Sequence, residues 1–516
     1  MTDGQAASEA RPADVAARLR TTAAQHPDQV ALVWQDQAIT YAELDARVDA
    51  GVAGLRALGV GSGDRVAIVV GNVPAFVEAH FATLRAGGVV VPCNLGLATD
   101  ELVHVFADSG AKVVVTADAV AATVLAATAQ VGTVERVVVV GASEAPAGAD
   151  TTWRELLDTA TPAAEADRSP DDLAALVYTS GTTGRPRGAM LTRRNLTAAQ
   201  DQSLAGRLRV ERDDVVLLVL PLFHIYALNV GLGASVTVGA TMVLVERFDA
   251  TSSLGTIVEH GVTVVLGAPP MYVAWENTAG ISAAPFASVR VAVSGAAPLP
   301  VQVLQRFRDA TGVEIWEGYG LTEAAPSVTS NAMADEARPG SVGLPLPGVE
   351  LRLVDEDGED VEDGDPGEVW VRGPNVFQGY WNDPEGTAEA LAEGGWLRTG
   401  DVGVRDADGY LYLVDRKKDL VIVSGFNVYP REVERVLYAH GDVAEAAVVG
   451  VPHPYTGEAV KAFVVRRPGT DLGEDDLAAF CRTRLARYRA PEIIEFVDAL
   501  PTTATGKVRR VELRGG

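Results

Sequence analysis

Residues 178–188 read Tyr178-Thr179-Ser180-Gly181-Thr182-Thr183-Gly184-Arg185-Pro186-Arg187-Gly188. Four Ser/Thr hydroxyls, three glycines and two arginines fall between an apolar run, residues 173–177, and a helix start expected near Thr192. Glycines let a backbone wrap an anion, hydroxyls and N–H groups donate to phosphate oxygens, and arginine supplies charge. The spacing is not that of the common nucleotide P-loop. Skipping four residues after Gly181 lands on Pro186, where a Gly-Lys-Ser/Thr ending should begin. On composition alone, a polar hairpin turn is the plainer reading.

Composition narrows the class. A chain of 516 residues is too long for one core, so two or more domains are expected. Hydrophobic residues make up 47% and charged residues 22%, as in ordinary globular proteins. The net charge of −26 argues against nucleic-acid binding and against electrostatic docking on an anionic membrane. Cys93 and Cys481 are the only cysteines and read as buried, reduced thiols of a cytoplasmic protein. The N-terminus shows no secretion signal. Residues 215–245 carry no formal charge and are long enough to span a bilayer, but Pro221, His224, Asn229 and several glycines interrupt them. They read as a buried helix joined to a buried strand, with no integral membrane segment. Lysine stands only at 112, 417, 418, 461 and 507, against 38 arginines.

From residue 28 the pattern alternates. Strands are expected at 30–34, 65–70, 89–92 and 112–116, with helices at 41–58, 73–86 and 99–109. Further α/β units follow residue 214, with strands at 263–266 and 289–294 and helices from Pro269 and over 301–310. Such alternation implies parallel sheets flanked by helices. Residues 341–415 change to short β-rich runs with Asp-Gly turns at 357–358, 363–364 and 408–409. A charged cluster, Asp415-Arg416-Lys417-Lys418-Asp419, precedes a small α+β unit. The expected architecture is therefore α/β: a large N-terminal domain (1–414) of parallel-rich sheets with a small β-rich subdomain, a hinge at 415–418, and a small mobile α+β domain (419–516).

Several motifs occur in order: the loop above, Ser294-Gly295-Ala296-Ala297-Pro298 after a strand, Tyr319-Gly320-Leu321-Thr322-Glu323, Trp396-Leu397-Arg398-Thr399-Gly400-Asp401, Ser424-Gly425-Phe426-Asn427-Val428-Tyr429-Pro430, and Pro501 to Lys507. Together they resemble the adenylate-forming superfamily of acyl-CoA synthetases, amino-acid adenylation domains and beetle luciferases. The resemblance runs from about residue 25 to 512 and is nearest to bacterial long-chain fatty-acid–CoA ligases. It implies that a carboxylate attacks the α-phosphate of ATP, and that coenzyme A then displaces AMP to give a thioester. Such transfer is catalysed mainly by positioning and electrostatics.

The resemblance implies roles residue by residue. Thr179, Ser180, Gly181, Thr182, Thr183 and Gly184 wrap the β- and γ-phosphates. Arg187 stands where the family usually has lysine, keeping the charge with a bulkier fork. Gly295, Ala296 and Ala297 border adenine, though such a segment is by itself a routine turn. Tyr319 and Gly320 lie at the base, with Tyr319 stacked on it; Thr322 touches the α-phosphate and Glu323 holds Mg²⁺. Asp401 accepts the ribose hydroxyls, and Arg416 contacts ribose or phosphate. Lys507 bridges the substrate carboxylate and α-phosphate. Ser424, Gly425 and Phe426 line the coenzyme A tunnel, and Lys418 is the hinge about which the small domain swings. His224, in Pro221-Leu222-Phe223-His224, gates the acyl site; a lone histidine in an apolar run is otherwise a core residue. Family members that activate α-amino acids carry an aspartate near here, so Phe-His argues against such a substrate. Tyr226, Leu228, Val230 and Met271 are candidate pocket residues that core packing explains equally well.

The expected function is thus an ATP- and Mg²⁺-dependent acyl-CoA ligase for a small carboxylic acid, with a fatty acid the expected substrate. Two other readings stay open: an adenylating enzyme that delivers the acyl group to a carrier protein or another nucleophile, and a degenerate, non-enzymatic binder. The sequence leaves room for a homodimer.

Overall fold

The computed structural model describes residues 11–158, 168–179, 185–416, 419–424, 426–503 and 506–514. Among them lie four sheets. In the first, Leu173–Thr179 and Arg65–Val69 sit among parallel neighbours in a seven-stranded array, with Arg187–Thr192 antiparallel at one edge. Its strands are buried on both faces, which is why they read as unbroken Val/Ala/Ile runs. The second has nine strands and a parallel centre that includes Val264–Gly267, Val291–Ser294 and Ile315–Gly320. One continuous apolar core, including Leu44, Phe76, Trp275 and Phe307, joins these two sheets through the helices between them.

The third sheet is the antiparallel β-rich subdomain: Glu350–Val354, Gly367–Arg372, Trp396–Arg405, Leu391–Ala392 and Leu411–Arg416. The fourth belongs to the C-terminal region, where Val443–His453 and Gly457–Arg466 form a long hairpin. It has a separate core around Val433, Leu437, Val460 and Leu477, as expected of a distinct folding unit. The α/β architecture expected from the sequence is the one observed.

Three local differences carry information. Residues 215–245 are strand, helix and strand: Val215–Leu218, a π-helical turn Tyr226–Gly233 leading into Ala234–Val238, then Thr241–Leu244. The expected helix–strand pair lacked the first strand because all three pieces are equally apolar. Buried Asn229 anchors the wide turn, donating to Leu196 O and Ala325 O and accepting from Gln200. Arg187–Thr192 is also a strand, and it pairs antiparallel with Leu173–Thr179. Finally, Trp396–Arg405 was missed as a strand because its Arg, Thr, Asp and two Gly obscure the alternation. By contrast, the helix Arg193–Ser203 begins where expected: Thr192 Oγ accepts from Asn195 N–H, and Asn195 Oδ1 accepts from Thr192 N–H.

Both cysteines are buried and unpaired. Among the described residues no helix is long and apolar enough to cross a membrane.

The C-terminal region rests on the helix Pro269–Glu276 at both ends. At the first turn, Gly506 packs against Pro270 so closely that a Cβ would sit 2.2 Å from the ring. At the last turn, Arg467 reaches Glu276 at 3.4 Å and Asn277 at 2.6 Å, while Arg306 holds the other Glu276 oxygen at 2.8 Å.

Candidate active site

Parallel strands direct their carboxyl ends, and the loops beyond them, to one side of a sheet, where ligands of α/β folds bind. Here the ends of Leu173–Thr179, Val291–Ser294 and Ile315–Gly320 open on one cavity of about 570 Å³. Thr179 and Arg187 line it from the paired strands Leu173–Thr179 and Arg187–Thr192; Gly295 and Ala296 do so from the turn after Val291–Ser294, but Ala297 does not. Tyr319, Gly320, Thr322 and Glu323 line it, as do His224, Arg416 and Lys507. Residues nearly 330 positions apart are thus brought together. Ser180, Gly181, Thr182, Thr183 and Gly184, together with Lys418 and Gly425, lie outside the described residues.

Tyr319 and Asp401 are coupled directly. The Tyr319 hydroxyl donates to Asp401 Oδ2 at 2.6 Å, and Arg416 Nε meets Asp401 Oδ1 at 3.0 Å. Each carboxylate oxygen therefore carries one partner and keeps lone pairs for a further donor. Burial and then the Asp401 charge push the Tyr319 hydroxyl far up, so it remains a donor. Burial opposes the Arg416 charge, but Asp401 and the acids around it outweigh that and hold the guanidinium protonated. Gly320 is required by close approach: a Cβ there would lie 2.1 Å from Pro326 O.

Glu323 accepts a hydrogen bond from Tyr380 at 2.7 Å. Among the described residues no cluster of three His, Cys, Asp or Glu could hold a metal alone. One carboxylate beside a phosphate site nevertheless suits Mg²⁺, which binds through one or two carboxylates, substrate phosphates and water. Arg187, whose charge is expected at the phosphates, borders the cavity and also has partners within the protein. Its guanidinium pairs with Asp383 at 3.2 Å and lies 5.4 Å from the Tyr380 ring centre.

His224 borders the cavity and accepts from Tyr226 N–H through Nδ1 at 3.3 Å. Burial, and then the Lys507 ammonium, lower it from 6.5 to about 4, so it is neutral near pH 7. The unfolded chain takes up this proton below about pH 6.5, whereas the folded chain does not until about 4. The His224 contribution to stability is therefore lost as pH falls through that window. His224→Gln should lose less stability than the parent between pH 6.5 and 4 in urea titrations. Of the candidate pocket residues, Tyr226 and Val230 line the cavity, whereas Leu228 and Met271 are packed in the core. Ser424 has left-handed backbone, φ 51°, and Phe426 is exposed and stacked on Tyr488 at 4.7 Å. Ser294 and Thr399, which stand in recognised motifs without a role of their own, also line the cavity, and sequence reasoning missed Tyr380, which sits in Gly379-Tyr380-Trp381-Asn382, a turn-like stretch with no chemical signature of its own.

The AMP-binding enzyme family matches residues 19–381, and the AMP-binding enzyme C-terminal domain matches 432–507. The chain belongs to the AMP-binding enzyme family. A feruloyl-CoA synthase of Amycolatopsis sp is 42% identical to this AMP-binding enzyme over 92% of the chain and 94% of its own length. A long-chain-fatty-acid–CoA ligase of Bacillus subtilis is 34% identical over 96% and 93%. The ATP-bound crystal structure of MatB from Rhodopseudomonas palustris superimposes with a TM-score of 0.90 at 35% identity, covering 98% of each chain. This AMP-binding enzyme is an AMP-forming acyl-CoA synthetase that uses ATP, as the sequence resemblance implied.

Proposed function

We propose that this synthetase activates an aromatic carboxylic acid bearing a ring hydroxyl, forms its adenylate with Mg²⁺ and ATP, and transfers the acyl group to coenzyme A. One observation carries the substrate class. Tyr226 Oη and Ser294 Oγ are buried, line the cavity, and have no hydrogen-bond partner among the described residues. Leaving a buried polar group unsatisfied costs about 1–3 kcal/mol. An alkyl tail would seal both hydroxyls away from water, whereas a phenol can donate to one and accept from the other. Feruloyl-CoA synthase, among the relatives, is named for an acid of this kind. The fatty acid expected from the sequence stands as the second reading, supported by the long-chain relatives.

The residues divide the work as follows. The Lys507 ammonium holds the substrate carboxylate against the α-phosphate, neutralising two anions that would otherwise repel. Thr322 donates to the same phosphate. Asp401, fixed by Tyr319 and Arg416, accepts from ribose. Glu323 holds Mg²⁺, which when bound neutralises charge on the phosphates. The carboxylate oxygen bonds to the α-phosphorus as pyrophosphate leaves. The coenzyme A thiolate then bonds to the acyl carbon as AMP leaves. For that second step we place the hinge at Lys418, with Ser424, Gly425 and Phe426 replacing Lys507 at the site. Cytoplasm, where ATP and reduced thiols coexist, fits the two unpaired cysteines.

The test is AMP release with ATP, Mg²⁺ and coenzyme A across ferulate, coumarate, benzoate and medium- and long-chain fatty acids. Hydroxylated aryl acids should give the highest kcat/KM. Tyr226→Phe should lower it for them about tenfold and leave unsubstituted acids nearly unchanged. Fatty acids outperforming aryl acids would return the assignment to the fatty-acid reading. Pyrophosphate formed without stimulation by coenzyme A would point to a different acceptor.

A further inference from the structure

We propose that Tyr380 is a positioning residue that aims the Glu323 carboxylate and locks it to the strand leaving the phosphate loop. The inference rests on the assignment of Glu323 to Mg²⁺ made above. The Tyr380 hydroxyl donates to Glu323 Oε1 at 2.7 Å, and both residues border the cavity. Such a charge-assisted bond removes rotational freedom from a carboxylate that otherwise has several rotamers. Tyr380 is held in turn from three sides. Its ring packs edge-on against Phe377, 5.0 Å between centres, and faces the Arg187 guanidinium. Its N–H donates to Thr387 Oγ at 2.9 Å. Its segment runs beside Arg187–Thr192, with Met190 N–H donating to Gly379 O and Trp381 N–H to Gly188 O. Asp383 closes the ring: one oxygen caps the helix Pro384–Ala390 through Gly386 N–H, and the other pairs with Arg187. Glu323, Tyr380, Arg187 and Asp383 therefore form one chain of contacts from the metal carboxylate to the base of the phosphate loop. Arg187 acts here through Tyr380, whose ring its guanidinium faces.

Tyr380→Phe keeps the ring packing and deletes only the donor. Equilibrium binding of a fluorescent ATP analogue, titrated with Mg²⁺ in the absence of acid, should show a Mg²⁺ midpoint raised about tenfold. Nucleotide binding without Mg²⁺ and thioester formation from supplied acyl-adenylate should match the parent. Glu323→Gln, run alongside, separates the two ideas. If Glu323→Gln leaves the Mg²⁺ midpoint unchanged, the metal assignment itself is wrong. If Glu323→Gln shifts it and Tyr380→Phe does not, Glu323 holds the metal and Tyr380 has no positioning role. A Tyr380→Phe variant that weakened Mg²⁺-free binding equally would show a general packing effect and likewise overturn the proposal.

Discussion

Lys507→Ala should slow acyl-adenylate formation by about 100-fold or more, the scale of removing a preorganised donor from a developing charge. Thioester formation from supplied acyl-adenylate and coenzyme A should stay close to the parent rate. The asymmetry follows from where the residue stands. Lys507 lines the cavity from the C-terminal region, in a turn closed by Thr503 N–H donating to Lys507 O at 2.8 Å and Lys507 N–H donating to Thr503 Oγ at 3.1 Å. Its charge is felt at His224. ATP and a carboxylate repel one another before the first transfer; in the acyl-adenylate the two are already joined, and no such bridge is needed afterwards. Pyrophosphate exchange and single-turnover thioester assays measure the two steps separately. Equal loss in both would remove Lys507 from its adenylation role.

Gly506→Ala should produce nearly the same kinetic pattern without touching a charged group. Gly506 has φ 78°, a region side chains avoid, and its missing Cβ would lie 2.2 Å from the Pro270 ring. Proline at the start of a helix has little freedom to yield. The alanine variant must lift the turn that carries Lys507, and a misplacement of about 1 Å can cost 100-fold. Adenylation should fall by that order while the thioester step persists. Pro270→Ala in the same chain should recover part of the loss by clearing the ring. Failure of both half-reactions together would mean that the substitution had unfolded the C-terminal region instead.

What the sequence made legible follows from what each element needs. The parallel strands were readable because burial on both faces demands uninterrupted β-branched residues, as in Arg65–Val69 and Val89–Pro92. Arg187–Thr192 and Trp396–Arg405 were not, since site residues and glycines interrupt their patterns. The same division holds in the site. Tyr319, Asp401 and Lys507 sit in ordered motifs that a reader can recognise. The bond between Tyr319 and Asp401 spans 82 positions, and the one between Tyr380 and Glu323 spans 57. No local pattern encodes either pairing. The pairing of Arg187 with Asp383 was similarly hidden, because the two stand far apart in the chain.

The helix Pro269–Glu276 makes contact with the C-terminal region through two unlike materials, carbon at one end and charge at the other. The swing proposed for the C-terminal region has to disturb both the Gly506 contact and the Arg467 contact as it carries Lys507 from the cavity. Salt weakens mainly the ionic foot, and cooling or an organic cosolvent acts mainly on the apolar one. The rate at which the two half-reactions alternate should thus answer to ionic strength and to cosolvent as two separable controls.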